Sequence, residues 1–213
     1  MSKEEQLWEA CTSGNLDLVK HLGNDSSVNL NWADPEFDRT PFYRACFFFG
    51  RLSVVEFLLT FTKVDVNKQQ HQGSTPFYAA CQEGHQEVVS FLLADTRIDG
   101  NKPKNDGATP FYVACQNGHQ EVVSLLLADM RIEVNKPQSD VATPFFVACQ
   151  EGHQEMVSSL LLADMRIDIN NPDNAQCTPL WMASQEGHLS VVQLILATGR
   201  EVDTKTESIA GGI

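Results

Sequence analysis

Apolar and polar positions in this chain repeat as a long phrase rather than a short alternation. The phrase opens TPFYRAC, TPFYAAC, TPFYVAC, TPFFVAC and TPLWMAS, with Thr-Pro at residues 40, 75, 109, 143 and 178. A threonine hydroxyl can cap the open N–H groups of a helix, and proline at the first helical position gives up an N–H that would be unpaired anyway. A helix of about two turns is predicted at each opening. Gly84, Gly118, Gly152 and Gly187 then end it. The next stretch, HQEVVSFLLAD in the second full copy, is apolar at i, i+1, i+4 and i+5, which predicts a second amphipathic helix. VDVN, IDGN, IEVN and IDIN follow, running into NKQQHQG, NKPKNDG, NKPQSDV and NNPDNAQ. These read as an extended segment ending in a projecting β-turn.

Five copies at nearly one period are the mark of a solenoid, in which each unit buries its apolar face only against its neighbours. The pattern TPFYxACxxGHxEVV followed by segments such as VDVN resembles the ankyrin repeat, whose signature is T-P-L-H-x-A. The resemblance implies an all-α fold, an α-solenoid of stacked helix-turn-helix repeats with projecting β-turn fingers. It divides one solenoid, 1–213, into a degenerate N-terminal capping repeat at 1–31 and full repeats at 32–67, 68–101, 102–135, 136–170 and 171–204. Residues 205–213 are left as a tail or the start of a further repeat. The local period of 34 exceeds the family's 33 by one residue between second helix and finger, as in ADTRID and ADMRIE. The tetratricopeptide repeat shares the period of 34 but has neither the Thr-Pro opening nor the finger. Tyr43, Tyr78, Tyr112, Phe146 and Trp181 stand where the family usually has His, so ring packing is expected in place of that side chain's hydrogen bond. Copy four reads MVSSLLLAD against VVSLLLAD, which predicts a bulge or a shifted register in its second helix.

Composition narrows the partners. With 213 residues, 42% hydrophobic and 8% aromatic, the chain is too apolar to stay unfolded. A formal charge of -13 argues against nucleic acid and anionic membrane and favours a protein partner with a basic rim. The N-terminus, MSKEEQLWEACTSG, lacks a signal peptide's apolar core, and no apolar run approaches the roughly 20 residues that span a bilayer. A cytoplasmic or nuclear protein is expected.

Cys11, Cys46, Cys81, Cys115 and Cys149 recur at spacings of 35, 35, 34 and 34, a repeated slot rather than disulfide pairs. Cys81 with His85, Cys115 with His119 and Cys149 with His153 share a C-x-x-x-H spacing that raises zinc or a thiol nucleophile. Equivalent residues of stacked helices lie about 8 to 10 Å apart, too far to share a metal ion or to form disulfides. The slot is also a small, buried one with Glu83 and Glu151 nearby in sequence, the reverse of the setting that generates a thiolate. Free structural thiols are therefore expected, with histidines buttressing the turn, no metal, no cofactor and no enzyme activity. A Cys-His hydrolase is the alternative that rapid thiol labelling would revive. Arg97, Arg131 and Arg166 each precede an acid by two residues, Asp99, Glu133 and Asp168, and predict surface ion pairs of about 0 to 1 kcal/mol each. Asn67, Asn101, Asn135 and Asn170 match a position hydroxylated in some family members, although asparagine suits the turn itself.

The resemblance implies protein binding on a concave surface made by the fingers and the C-terminal ends of the first helices. Copy two supplies Gln69, His71, Gln72, Ser74, Gln82 and Glu83, and copy three Pro103, Asn105, Asp106, Ala108, Gln116 and Asn117. Copy four supplies Pro137, Ser139, Asp140, Ala142, Gln150 and Glu151. These positions are mostly polar and alike. Copy one departs: its finger NWADPEFDR is one residue longer and carries Trp32, Glu36, Phe37 and Arg39, and RACFFFGR puts Phe47, Phe48 and Phe49 in place of Gln-Glu. Each ring can cover about 150 to 250 Å², so three exposed rings would exceed a monomer's usual apolar patch and mark a binding anchor. Against this, the inserted residue could turn one or two rings down onto Thr12 and Ser13, and at least one Phe is expected to be buried. The function expected is a non-enzymatic interaction module or adaptor anchored in copy one. The alternative is a structural or self-assembling segment of a longer array. It associates through the aromatic patch or an open C-terminal end, where LSVVQLILATG shows no polar face and a sixth Thr-Pro is due.

Overall fold

Each Thr-Pro pair starts a helix in the way its chemistry suggests. Thr40 Oγ1 accepts the N–H of Tyr43 at 3.1 Å, and Thr75, Thr109, Thr143 and Thr178 do the same for Tyr78, Tyr112, Phe146 and Trp181 at 3.0 to 3.2 Å. The proline occupies the first turn every time. The structure is a computed structural model that describes residues 1–48, 51–163 and 165–204, without the side chain of Ala163. Phe49 and the expected tail at 205–213 lie outside the described residues. Among those residues every regular element is a helix and there is no strand.

The chain divides into two compact units, Met1–Asn105 and Asp106–Ile213. In the first, the first helices α1 (Lys3–Ser13), α3 (Pro41–Phe47) and α5 (Pro76–Gln82) pack side by side. The second helices α2 (Leu16–Gly23), α4 (Leu52–Leu59) and α6 (Gln86–Leu93) form the other layer. The second unit repeats the plan, with α7 (Pro110–Gln116), α9 (Pro144–Gln150) and α11 (Pro179–Gln185) in one layer. Its other layer holds α8 (Gln120–Ala128), α10 (Gln154–Ala163) and α12 (Leu189–Ala197). The core lies between the layers of each unit. Phe42, Phe77, Phe111 and Phe145, the residues after each proline, are buried there with Cys46, Cys81, Cys115 and Cys149. Burying one such ring stabilises by about 1.5 to 3 kcal/mol.

The extra residue of copy four makes no bulge. Helix α10 runs unbroken, and Met156, Val157, Leu160 and Leu161 keep the buried stripe that Val122, Val123, Leu126 and Leu127 form in α8. The spacing i, i+1, i+4, i+5 holds both stripes to the core, so the surplus residue falls after the stripe. Leu162 is consequently turned outward, 85% exposed.

The fingers are laced by their backbones. Within the first unit His71 N donates to Phe37 O and Asn105 N to Gln72 O, both at 3.0 Å. Within the second, Ser139 N donates to Asp106 O at 3.0 Å and Asn174 N to Asp140 O at 3.2 Å. The residue two before each Thr has positive φ: it is Gly73 or Gly107 in copies two and three, but Asp38, Val141 or Gln176 elsewhere. The repeated asparagines do more than turn. Asn67 Nδ2 donates to Arg97 O at 2.7 Å while its Oδ1 accepts Asp99 N at 3.0 Å. Asn31 does the same on Lys63 and Asp65, Asn135 on Arg166 and Asp168, and Asn170 on Glu201 and Asp203. Each amide thus ties its copy to the next.

The arginine pairs differ from expectation. Arg97 binds Asp95, two residues before it, at 2.6 Å instead of Asp99, and Arg131 binds Asp129 at 2.6 Å, while Glu133 pairs with Lys136. The helix end folds each arginine back onto the preceding acid, whose carboxylate also accepts the arginine's own N–H. Arg97 further donates to Leu59 O at 2.9 Å and Phe61 O at 3.3 Å, satisfying carbonyls left open at the end of α4.

Candidate functional site

Copy one and the capping helix build a run of alternating rings and guanidiniums. Its base is the longer finger, which Asp34 organises: Oδ1 accepts the N–H groups of Glu36 and Phe37, and Oδ2 that of Arg39 at 2.8 Å. The residue that lengthens this finger is absorbed between Asp34 and Arg39, where Asp34 N donates to Arg39 O. Trp8 Nε1, from α1, donates to the same carbonyl at 2.9 Å and so pins Arg39 from beneath. The Arg39 guanidinium then lies 4.4 Å from the Phe37 ring centre, 5.8 Å from Phe47 and 5.9 Å from Tyr43. Phe47 stacks on Tyr43 at 6.2 Å and meets Phe48 edge-on at 5.1 Å. Arg44 closes the run, 4.4 Å over Phe48 and 4.1 Å over Trp8. Phe48 reaches this place because α3 ends in extended backbone there (φ -95, ψ 144), whereas Glu83 in copy two stays near helical (φ -89, ψ -2).

The expected burial of one ring does not hold for the two described. Phe47 and Phe48 are both half-buried, Phe37 is 41% exposed, and Phe49 falls outside the described residues. Thr12 is taken by arginines instead: Arg44 Nε donates to its Oγ1 at 2.9 Å and Arg51 Nε to its carbonyl at 3.2 Å. A guanidinium reaches that polar corner and bonds to it, which a phenyl ring cannot. Trp32 is half-buried and stands apart from the ring contacts, and Glu36 is exposed. The sequence reading missed Trp8 and Arg44. The signals were present, since among the five full copies Arg44 alone breaks a slot filled by Ala79, Val113, Val147 and Met182, and Trp8 occupies the ring slot of the capping copy.

The other expected contact residues are placed variously. In the first unit His71, Gln72 and Asn105 are exposed, while Gln69 Nε2 donates to Gly73 O and Pro103 O. Gln82 Nε2 donates to Glu83 at 2.9 Å, both half-buried. Ser74 is a correction: it is 3% exposed, and its hydroxyl is 3.3 Å from that of Tyr43, so it faces the core. In the second unit Gln116, Asn117, Pro137, Ser139, Asp140 and Glu151 are exposed, and Gln150 and Asp106 are half-buried. Asp106 and Asp140 use Oδ1 to accept the N–H groups of Ala108 and Ala142, both buried. Ser139 Oγ also donates to Asp106 O.

The cysteine and histidine chemistry is structural. Burial pushes the thiols of Cys11, Cys46, Cys81, Cys115 and Cys149 up, so they stay protonated at neutral pH. His85 Nε2 lies 2.9 Å from Phe47 O; in the second unit His153 meets Gln116 O and His188 meets Gln150 O at the same distance. A carbonyl only accepts, so Nε2 carries the proton in each pair. Arg51 fills this role in copy one. The helix-ending glycine lies directly under the contact: a Cβ at Gly152, where φ is +71, would come within 2.5 Å of the His188 ring. Among the described residues no group of three or more His, Cys, Asp or Glu could hold a metal ion. No helix among them is long and apolar enough to cross a membrane.

Stacked pairs of short helices, laced by turn-forming fingers, define a helical-repeat protein. A family model for ankyrin repeats, in three copies, matches residues 45–138 and 131–206, and the chain belongs to the ankyrin repeat family. Ankyrin repeats are generally protein-protein interaction modules and typically non-enzymatic. No curated protein matches the chain.

Proposed function

We propose that this chain is a protein-binding module whose affinity centres on the ring and guanidinium run of copy one, with the polar fingers of the other copies forming the rim. The observation that carries the reading is the partial exposure of Phe37, Phe47 and Phe48 on a frame that fixes them from both sides. Binding hot spots favour aromatic residues and arginine, and rings held in place lose little entropy on docking. Six cysteines with no disulfide suit a reducing compartment, the cytoplasm or nucleus. The test is quantitative capture of partners from lysate by the chain and by Phe47→Gln with Phe48→Glu, the residues that copy two has there, with melting curves for both. Loss of partners at unchanged melting temperature upholds the anchor. Capture that persists, or a variant that unfolds, assigns the rings to the fold.

Self-association is the second reading, favoured by Leu162, Leu189 and Leu196 at 85%, 72% and 55% exposure on the second-helix layer of the second unit. Mass measured by light scattering would climb with concentration if it holds.

A further inference from the structure

The two arginines of the run are held by aromatic rings and not by acids. Arg97 and Arg131 have aspartates; among the described residues neither Arg39 nor Arg44 makes an ion pair. Arg39 Nε is buried with no hydrogen-bond partner, and Arg44 commits only Nε, to Thr12. Glu9 and Asp34 act on Arg44 through their charge alone, each more weakly than Arg39 does, and neither forms an ion pair with it. Asp34 is held by backbone N–H groups, Asp38 by Lys68 at 2.9 Å, and Glu83 by Gln82. Burial first and the charge of Arg39 second push Arg44 below its ordinary range, so the two cations lie close enough to repel one another. Two guanidiniums are thus braced on rings, with no ion pair among the described residues, in a chain of net charge -13.

Resting on the binding-module reading above, we propose that this site receives an acidic residue of a partner peptide, its carboxylate on Arg39 and Arg44 and an adjoining apolar side chain against Phe37 and Phe48. Charge complementarity argues for that occupant. A carboxylate matches the planar fork of a guanidinium, and the surrounding rings exclude water, which strengthens the pairing. Stacking has already fixed the guanidiniums, so less freedom is lost when the anion arrives. The negative surface around the site turns away acidic chains at large, so an acid is admitted only where it meets this pair, beside basic or apolar neighbours that the rim accepts.

The experiment is selection of a displayed random-peptide library on the full chain, with counter-selection against the double variant Arg39→Gln, Arg44→Gln, whose fold is checked by melting. The expected pool is enriched in Asp or Glu beside Leu, Ile or Phe. A chosen peptide should lose at least tenfold in affinity when its acid becomes the amide, and at least tenfold on the double variant. Arg39→Lys, which keeps the charge and loses the fork, should lose severalfold. A pool with no acidic enrichment, an empty selection, or peptides that bind the double variant as well as the parent overturns the proposal. So does a site that inorganic phosphate occupies in competition while carboxylate peptides fail, which would mark a phosphoryl site. Peptides that ignore the arginine variant yet fail on Phe47→Gln, Phe48→Glu defeat this inference and leave the binding module standing. Peptides indifferent to both defeat both.

Discussion

Copies one and two share a frame and present opposite surfaces. In copy two, α5 ends on Gln82 and Glu83, which bond each other along the surface. In copy one, α3 ends on Phe47 and Phe48, whose rings take up two arginines instead. Yet three contacts that join the copies survive the change. His85 still finds Phe47 O, His71 N still finds Phe37 O, and the Asn67 amide still bridges to Arg97 and Asp99. These contacts use backbone atoms or residues outside the altered positions, so one copy can change its side chains and loop length without loosening its neighbours. A stacked repeat separates the residues that hold it together from those it displays.

The sharpest test of that separation compares two phenylalanines of one unit. Phe77 is fully buried, so Phe77→Ala should cost about 3 to 5 kcal/mol and uncouple copy two from its neighbours. Phe48→Ala should cost about 1 kcal/mol, the loss of partial burial and of one cation–π contact. Urea titration of both variants measures the ratio. Similar costs would mean that the displayed rings are framework after all.

Finger turns offer the next largest contrast. Gly73 holds φ +87 beneath Asn105, and a Cβ there would stand 2.7 Å from Asn105 N and meet Oδ1 as well. Gly73→Val should therefore cost at least about 2 kcal/mol, from strained backbone and a clash that cannot relax. At the equivalent position Val141 already sits at φ +70, where a β-branched residue is strained. Val141→Gly should gain about 1 kcal/mol, read as a rise in the urea midpoint. A loss at Val141 would show that its exposed side chain makes a contact worth more than the strain.

The frame was legible in the sequence because its signals are local and written five times over. Thr40 with Pro41, the VVxxLL stripe and the turn glycines each act within a few residues, so their spacing carries their geometry. What escaped was either long-range or a choice between two local outcomes. Trp8 and Arg44 lie far apart in the chain and meet only because α1 packs on α3. The surplus residue of copy four could bulge or extend the helix, and extension wins because it keeps all four stripe residues buried. Arg97 had an acid two residues away on either side, and the carbonyls at the end of α4 draw it toward Asp95. Of the site, sequence gave the rings and Arg39 but not the second cation that defines its charge.

The smallest expected effect separates the two jobs of Arg97. Its hydrogen bond holds the Asp95 carboxyl below the ordinary carboxylate range. A depressed folded value means that the pair stabilises fully above the unfolded value, about 3.9, and that this contribution drains away as pH falls through the lower folded value. The carbonyl bonds to Leu59 and Phe61 involve no titrating group and persist in acid. Asp95→Asn should thus lose no more than about 1 kcal/mol at pH 7 and converge with the parent in acid, once the parent carboxyl has taken up its proton. Arg97→Gln should stay below the parent in both conditions, because it also leaves the end of α4 uncapped. Denaturant titrations in the two conditions decide it. If both variants converge with the parent in acid, the carbonyl bonds contribute nothing and Arg97 is only an ion-pair partner.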